Sequence, residues 1–389
     1  MRILIVGSDF NAYTLAKKMS QLKQVDLVFV APGNDSIVDF ASNVDIACSD
    51  VEELLDFAKA NEINLTLVTS EVAVSNSIAN VFSKNGLHIF APTAEAARVS
   101  LSKSSAKKTL YKLRVMTPKF GIFDRENMAI DYARKSKYPI VVKDDTHNSV
   151  DKPQFCSSFS KAKLAIEGLF EGFTKKIIVE DYVEAKVVSL YVITDGYTAL
   201  PIGRVCHINT FFNHKIVYSP DHCLSYELES KIMSRVVYPI IDEISRHTNP
   251  YVGILGVDLL LQGNNFQVLE FNPFFTSIDM QAILPLLKDD LYDLFLAATF
   301  GSLSDEYTKL RHSDDVAVSI QLKGSYAAKD MEDDFLISYD SMGNSVLTVT
   351  AATLNNAVEK LKDILFDLGI ENDLDSHLNS ILESRLLIG

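Results

Sequence analysis

Residues 1–98 alternate strand and helix four times, and that alternation most tightly limits what the chain can fold into. Short apolar runs at Arg2–Val6, Asp26–Val30, Asn64–Val68 and His88–Phe90 read as buried strands. Between them lie helical patterns. Ser49 followed by Glu52 reads as a capping box that opens a helix Val51–Ala60, and Gly86 ends a helix that starts near Val72. Successive βα units pair as a parallel sheet with helices on both faces. Ligands of such sheets bind beyond the carboxyl ends of the strands, which singles out the loops Gly7–Asn11, Ala31–Asn34 and Thr69–Val72.

The second half holds a different signal, between Gly253 and Phe275. Two apolar strands, Gly256–Leu261 and Phe266–Phe271, flank Gln-Gly-Asn-Asn, a hairpin pattern. Asp258, Glu270 and Asn272 interrupt the apolar runs. Alternation puts Glu270 and Asn272 on one face. Register decides where Asp258 goes. A three-residue loop, Gly263–Asn265, sets Asp258 opposite Glu270, whereas a two-residue turn sets it on the other face. The first register gathers two carboxylates and an amide, an all-oxygen set suited to a hard cation such as Mg2+. The alternative is a hairpin with its acids turned to solvent.

Basic residues gather between these regions. A polar helix from Ala94 to about Arg114 carries Lys103, Lys107, Lys108, Lys112 and Arg114, most of which suit a solvated face. Tyr138–Lys143 is an apolar strand ending in lysine, and Ile177–Val183 a second apolar strand carrying Glu180 and Asp181. The chain has 389 residues, too many for one ordinary core. Its net charge of −14 argues against a nucleic-acid surface. No apolar run is long enough to span a membrane, and the N-terminus reads as a first strand rather than a signal peptide. The four cysteines, Cys48, Cys156, Cys206 and Cys223, are expected as reduced thiols in a cytoplasm. Cys206, His207, His214, His222 and Cys223 cluster in sequence, but their spacing fits no compact zinc motif, and a substrate loop is the better reading.

An acid on one strand followed by hydrophobic-Glu-hydrophobic-Asn-Pro on the next resembles the metal hairpin of the ATP-grasp superfamily. The run Gln281-Ala-Ile-Leu-Pro-Leu-Leu-Lys-Asp-Asp-Leu narrows the resemblance to the phosphoribosylamine–glycine ligase family, as do Ser102-Lys103-x-x-Ala106-Lys107, Tyr138-Pro-Ile-Val-Val-Lys143 and Val346-Leu-Thr-Val-Thr350-Ala. It implies an α/β chain with three domains. These are an N-terminal Rossmann-like parallel-sheet domain at 1–98, an ATP-grasp fold of two α+β subdomains at 99–303 (its small lid at about 117–185), and a small C-terminal α+β domain at 310–389. It also implies that ATP meets Lys103, Lys143, Glu180, Asp181 and Val183, that Mg2+ (or Mn2+) is held by Asp258, Glu270 and Asn272, and that Gly33, Asn34 and Glu71 bind substrate.

The chain departs from the family at several loops. The family's Gly-Ser-Gly-Gly-Arg-Glu-His is here Gly7-Ser8-Asp9-Phe10-Asn11-Ala12-Tyr13, an acid in place of an arginine. The glycine loop after Lys143 is replaced by a stretch from Asp144 to Pro153 without glycine, and Gly-Glu-Glu by Ala185-Lys186-Val187. The arginine after Asn272 is absent, whereas Asp258 stands where the family has a small residue. The expected function is an ATP-dependent carboxylate–amine ligase of the purine-biosynthesis type, working through an acyl phosphate on altered substrates. The alternative is a non-catalytic relative that binds nucleotide or a partner protein. Expected partners are a small carboxylate and a small amine, with no nucleic acid or membrane, in a monomer or homodimer.

Overall fold

The computed structural model describes residues 1–146, 152–172, 174–209, 215–219, 224–275, 278–324, 326 and 335–370. The first unit has strands β1 (Arg2–Gly7), β2 (Leu27–Pro32), β3 (Ser42–Asn43), β4 (Leu65–Val68) and β5 (Ile89–Phe90), with helices α1 (Phe10–Ser20), α2 (Val51–Ala60), α3 (Glu71–Ser75) and α4 (Ile78–Lys84). The strands pair in parallel in the order β3-β2-β1-β4-β5. Ile3 and Ile5 face α1 on one side, and Leu4 and Val6 face α2 and α4 on the other. Both faces are therefore apolar, which is why these strands read as unbroken hydrophobic runs.

Helices α5 (Arg98–Leu101) and α6 (Lys103–Lys112) lead into a small antiparallel sheet of β6 (Phe120–Phe123), β7 (Ile140–Asp144), β8 (Gln154–Cys156) and β9 (Ile177–Asp181), ordered β6-β9-β7-β8. Helices α7 (Glu126–Lys135) and α8 (Phe159–Glu171) cover it with Ala129, Ala133, Ala162 and Ile166.

The remaining strands are β10 (Lys186–Asp195), β11 (Ala199–Asn209), β12 (Lys215–Ser219), β13 (Val252–Gln262), β14 (Asn265–Asn272), β15 (Val316–Leu322), β16 (Phe335–Tyr339) and β17 (Ser345–Ala351). They form one antiparallel sheet ordered β14-β13-β10-β11-β12-β15-β17-β16, so the C-terminal strands continue the sheet that carries the hairpin. Helices α9 (Tyr226–Ile232) and α10 (Tyr238–His247) pack on one face against Val188, Leu190 and Val192. Helices α11 (Asp279–Ile283) and α12 (Leu291–Phe300) pack on the other, against Ile193 and the N-terminal unit; short α13 (Leu303–Glu306) follows, and α14 (Leu354–Asp367) joins the first face.

Several expectations change. The polar helix from Ala94 to Arg114 is two helices, because Ser102 is extended (φ −128°, ψ 114°) and bridges to Thr146. The helix expected from Val72 to Gly86 is also two, broken at Ser77, which is left-handed (φ 64°). The capping box at Ser49 does not form, since Asp50 is the cap residue of α2 and its side chain makes no cap bond. Strand β16 was not foreseen. Cys48 and Cys156 are free thiols, but Cys206 is in a disulfide, against the expectation of four reduced cysteines. Among the described residues no helix is long and apolar enough to cross a membrane.

Candidate active site

The hairpin reaches the expected pairing by an unexpected route. Gln262 pairs with Asn265, so the turn is the two-residue Gly263–Asn264, with Gly263 at φ +59°. Alone, that register sends Asp258 to the wrong face. A β-bulge intervenes: Leu259 pairs with Val268 but Asp258 pairs with Glu270, leaving Leu269 extra. The bulge re-aims the strand by one residue. Asp258, Glu270 and Asn272 therefore share a face. Asn272 stands beside Asp258 and favours its charged form, and Glu270 Oε2 is shielded from solvent with no hydrogen-bond partner. Burial, then the neighbouring Glu270, raises the Asp258 pKa. Two close acids, one with an orphaned oxygen, and an amide make an oxygen donor set that a hard divalent cation fits.

Gly256 pairs with Asn272 across the hairpin. A Cβ there would lie 2.6 Å from the Tyr191 ring and 3.0 Å from Asn272 Cβ. Gly256→Ala is therefore expected to cost about 1–3 kcal/mol by overpacking, read as an earlier midpoint in urea unfolding; an unchanged midpoint contradicts it.

Facing these acids are three buried lysines. Lys143, on β7, and Glu180, on β9, are diagonal neighbours on one face, since Lys143 pairs with Ile178 and Val141 with Glu180. Lys143 Nζ lies 2.5 Å from Glu180 Oε1, and Lys107 Nζ, from α6, 2.8 Å from Glu180 Oε2. Lys107 also donates to Thr117 Oγ1 at 2.6 Å. Burial opposes the charge on Lys143, but Glu180 and then Glu270 outweigh it and raise its pKa. Burial likewise works against ionised Glu180, and Lys143 and Lys107 overcome it, so its pKa falls. On Lys103 and Lys107 burial wins and the pKa falls. Lys103 opens α6, and its ammonium is bonded to the Thr146 carbonyl.

An acid also sits at the start of α6. Asp145 accepts from the Ser104 amide at 2.6 Å and the Ser104 hydroxyl at 2.9 Å, and its carbonyl accepts from the Lys103 amide at 2.9 Å. It satisfies the free amides of the first turn, which favour negative charge. Residues 147–151 of the glycine-free loop lie outside the described residues, while Lys152 is exposed.

Behind Asp258 runs a buried polar chain. Ser189 donates to Asp258 Oδ1 at 2.5 Å and contacts His207 Nε2 at 2.7 Å. His207 Nε2 is 3.4 Å from Asp279 Oδ2, to which Tyr191 donates at 2.6 Å. His214, His222 and Cys223 lie outside the described residues.

Asp181 ends β9, where its amide bonds the Lys119 carbonyl at 2.8 Å, and Val183 follows, half-buried. Gly33 (φ +75°) and Asn34 follow β2, and Glu71 opens α3 after β4, all at the carboxyl edge of the parallel sheet. Asn34 caps the next turn, accepting from the Ser36 amide at 2.9 Å. Sequence reasoning missed Lys107, Ser189 and Asp145. Lys107 had two usable signals, its place at the end of the Ser102-Lys103-x-x-Ala106-Lys107 run and its spacing of four residues after Lys103 on one helix face. Lys108, Lys112 and Arg114 are exposed, as a solvated face requires.

Models of the phosphoribosylglycinamide synthetase N domain and ATP-grasp (A) domain match residues 1–100 and 101–280. Phosphoribosylamine–glycine ligase of Pasteurella multocida is 31% identical over 322 residues, covering 79% of this chain and 75% of that protein. The chain belongs to the phosphoribosylamine–glycine ligase family. A second relative, the phosphoribosylamine–glycine ligase of Salmonella typhimurium, is 30% identical over 356 residues, 85% of this chain and 81% of that protein. The crystal structure of the Thermotoga maritima phosphoribosylamine–glycine ligase shares the fold, with a TM-score of 0.73 at 18% identity over 93% of this chain and 96% of that one. So does a biotin carboxylase–β-γ-ATP complex from Campylobacter jejuni, with a TM-score of 0.73 at 14% identity over 94% and 90%. As a member of the phosphoribosylamine–glycine ligase family the chain is an ATP-dependent ligase forming C–N bonds, of the purine-biosynthesis type. None of the comparisons favours a non-catalytic relative.

Proposed function

We propose that the chain uses ATP to phosphorylate a carboxylate and that an amine then attacks the acyl phosphate, displacing phosphate and forming an amide. The relatives' names give phosphoribosylamine and glycine as the first pair to test. The observation that carries the reading is the convergence of Lys103, Lys107 and Lys143 on the acidic face of the hairpin. Lys103 and Lys143 receive the phosphates. Glu180 holds both partner lysines in place from the strand whose end, with Asp181 and Val183, lines the adenine slot. Asp258, Glu270 and Asn272 hold Mg2+ or Mn2+, which neutralises phosphate charge when bound. Gly33, Asn34 and Glu71 contact substrate at the sheet edge. With chemistry this simple, the protein's part is positioning and electrostatic stabilisation.

Calorimetric titration with a non-hydrolysable ATP analogue tests this. Binding strengthened by Mg2+ is the expected result. No binding with or without Mg2+ overturns it.

A further inference from the structure

In the eight-stranded sheet β10 runs between β13 and β11. Ser189, on β10, pairs directly with Asp258 of β13 and, on its other side, with Val205 of β11. Paired residues share a face of a sheet, so Ser189 stands beside Asp258 on the face that carries the hairpin's acids. Val188 and Leu190, one residue either way, pack on the opposite face under α9 and α10. His207 lies two residues beyond Val205 and so returns to the face of Ser189.

Ser189 is fully buried, and a buried hydroxyl is costly unless it is bonded. This one is engaged on both sides. It donates to Asp258 Oδ1 at 2.5 Å, and its oxygen lies 2.7 Å from His207 Nε2. His207 Nε2 is placed in turn 3.4 Å from Asp279 Oδ2, to which Tyr191 donates at 2.6 Å. Asp279 and Tyr191 are fully buried, so the far end of this chain is anchored in the core. The near end ties one oxygen of Asp258 to the sheet. Oδ2 is then the oxygen that remains for a cation shared with Glu270 and Asn272. A carboxylate that offers one oxygen suits Mg2+, which demands near-octahedral geometry at ~2.0–2.1 Å. A carboxylate free to turn can offer both oxygens to one ion, a grip that the larger Ca2+ accepts at ~2.3–2.6 Å.

We infer that Ser189, seated by His207, is a positioning residue that holds Asp258 to one-oxygen coordination and so sets the hairpin's preference for Mg2+ over Ca2+. The inference rests on the proposed metal set, and not on ATP or on which carboxylate and amine are joined.

The probe is Mn2+, without nucleotide. Its free-ion EPR signal falls as the protein takes it up, and Mg2+ or Ca2+ added afterwards restores the signal according to its own affinity. Asp258→Asn, run in parallel, identifies the uptake that belongs to the hairpin. In the parent chain Mg2+ is expected to displace Mn2+ more effectively than Ca2+ does. In Ser189→Ala the Mg2+ affinity is expected to fall about tenfold while the Ca2+ affinity holds or rises, so the preference shifts toward Ca2+. Ser189→Thr keeps the hydroxyl and is expected to keep the parent's preference. Equal losses for both ions in Ser189→Ala, the mark of a merely structural serine, overturn the inference, and so does an unchanged preference. Should Ser189→Ala fail to fold, Ser189→Cys puts a weak donor in nearly the same space and is expected to shift the preference the same way. No uptake of Mn2+ by the parent, or uptake undiminished in Asp258→Asn, overturns the metal set and this inference with it. Loss of ATP-analogue binding alone would sink the ligase reading and leave these displacements unchanged.

Discussion

Glu180→Gln is expected to cost the fold about 3–5 kcal/mol, and nucleotide is expected to restore much of it. Glu180 is 2% exposed and is shared by Lys143 and Lys107, whose own side chains are 7% and 3% exposed. Removing its charge leaves two ammonium groups close together, out of water, with no anion between them. Neutral glutamine supplies hydrogen-bond acceptance but no charge. Glu270, which also bears on both lysines, softens the loss without cancelling it. A polyphosphate brings negative charge to the same place. ADP should therefore raise the melting temperature of the variant more than that of the parent chain, because it repairs a defect in one and only adds a ligand in the other. Equal melting temperatures without nucleotide, or equal gains with it, would show that the pair is not buried as described.

The second large effect is expected from Asp258→Asn, and it runs in opposite directions for stability and activity. The folded pKa of Asp258 lies above its unfolded value of 3.8, because burial and Glu270 disfavour the charged form. Stability linked to this group is therefore fully present below the unfolded value and is lost as the pH rises through the folded one. At neutral pH without cation the ionised acid destabilises the fold. Asparagine removes that penalty, so the variant should be at least as stable as the parent at pH 7, and the difference should vanish as the pH falls toward the unfolded value. Turnover should fall on the order of a hundredfold or more, since a metal carboxylate is lost. A variant that is less stable at pH 7 but fully active under Mg2+ would remove Asp258 from the metal set.

These two residues also show where the sequence was readable. The parallel sheet was legible because Ile3, Leu4, Ile5 and Val6 form a run buried on both faces, which has few other readings. The company of Asp258 with Glu270 was legible only as a choice between registers. The turn that forms is the one that would have misplaced Asp258, and the bulge at Leu269 corrects it. A bulge belongs to a pair of strands, so neither strand announces it alone. Lys107 closes the Ser102-Lys103-x-x-Ala106-Lys107 run, but nothing on its own helix says that it is buried. Its burial comes from Glu180 and Thr117, which lie outside that helix. The break at Ser102 is likewise set by a partner, since the Lys103 amide bonds the Asp145 carbonyl. Local pattern gave the elements, and contacts across the fold decided which side chains meet.

The union of β12 with β15 has a consequence for how the chain is made. A sheet that ends at β12 has an unsealed rim of peptide groups, and such rims recruit strands from other molecules. On a ribosome, β10–β12 emerge nearly a hundred residues before β15 arrives to cover that rim (β12 ends at Ser219 and β15 begins at Val316), and the hairpin emerges between them. Domains emerging first tend to fold first. The period of greatest exposure to aggregation therefore falls late in synthesis, after the acids and lysines of the site have already been translated.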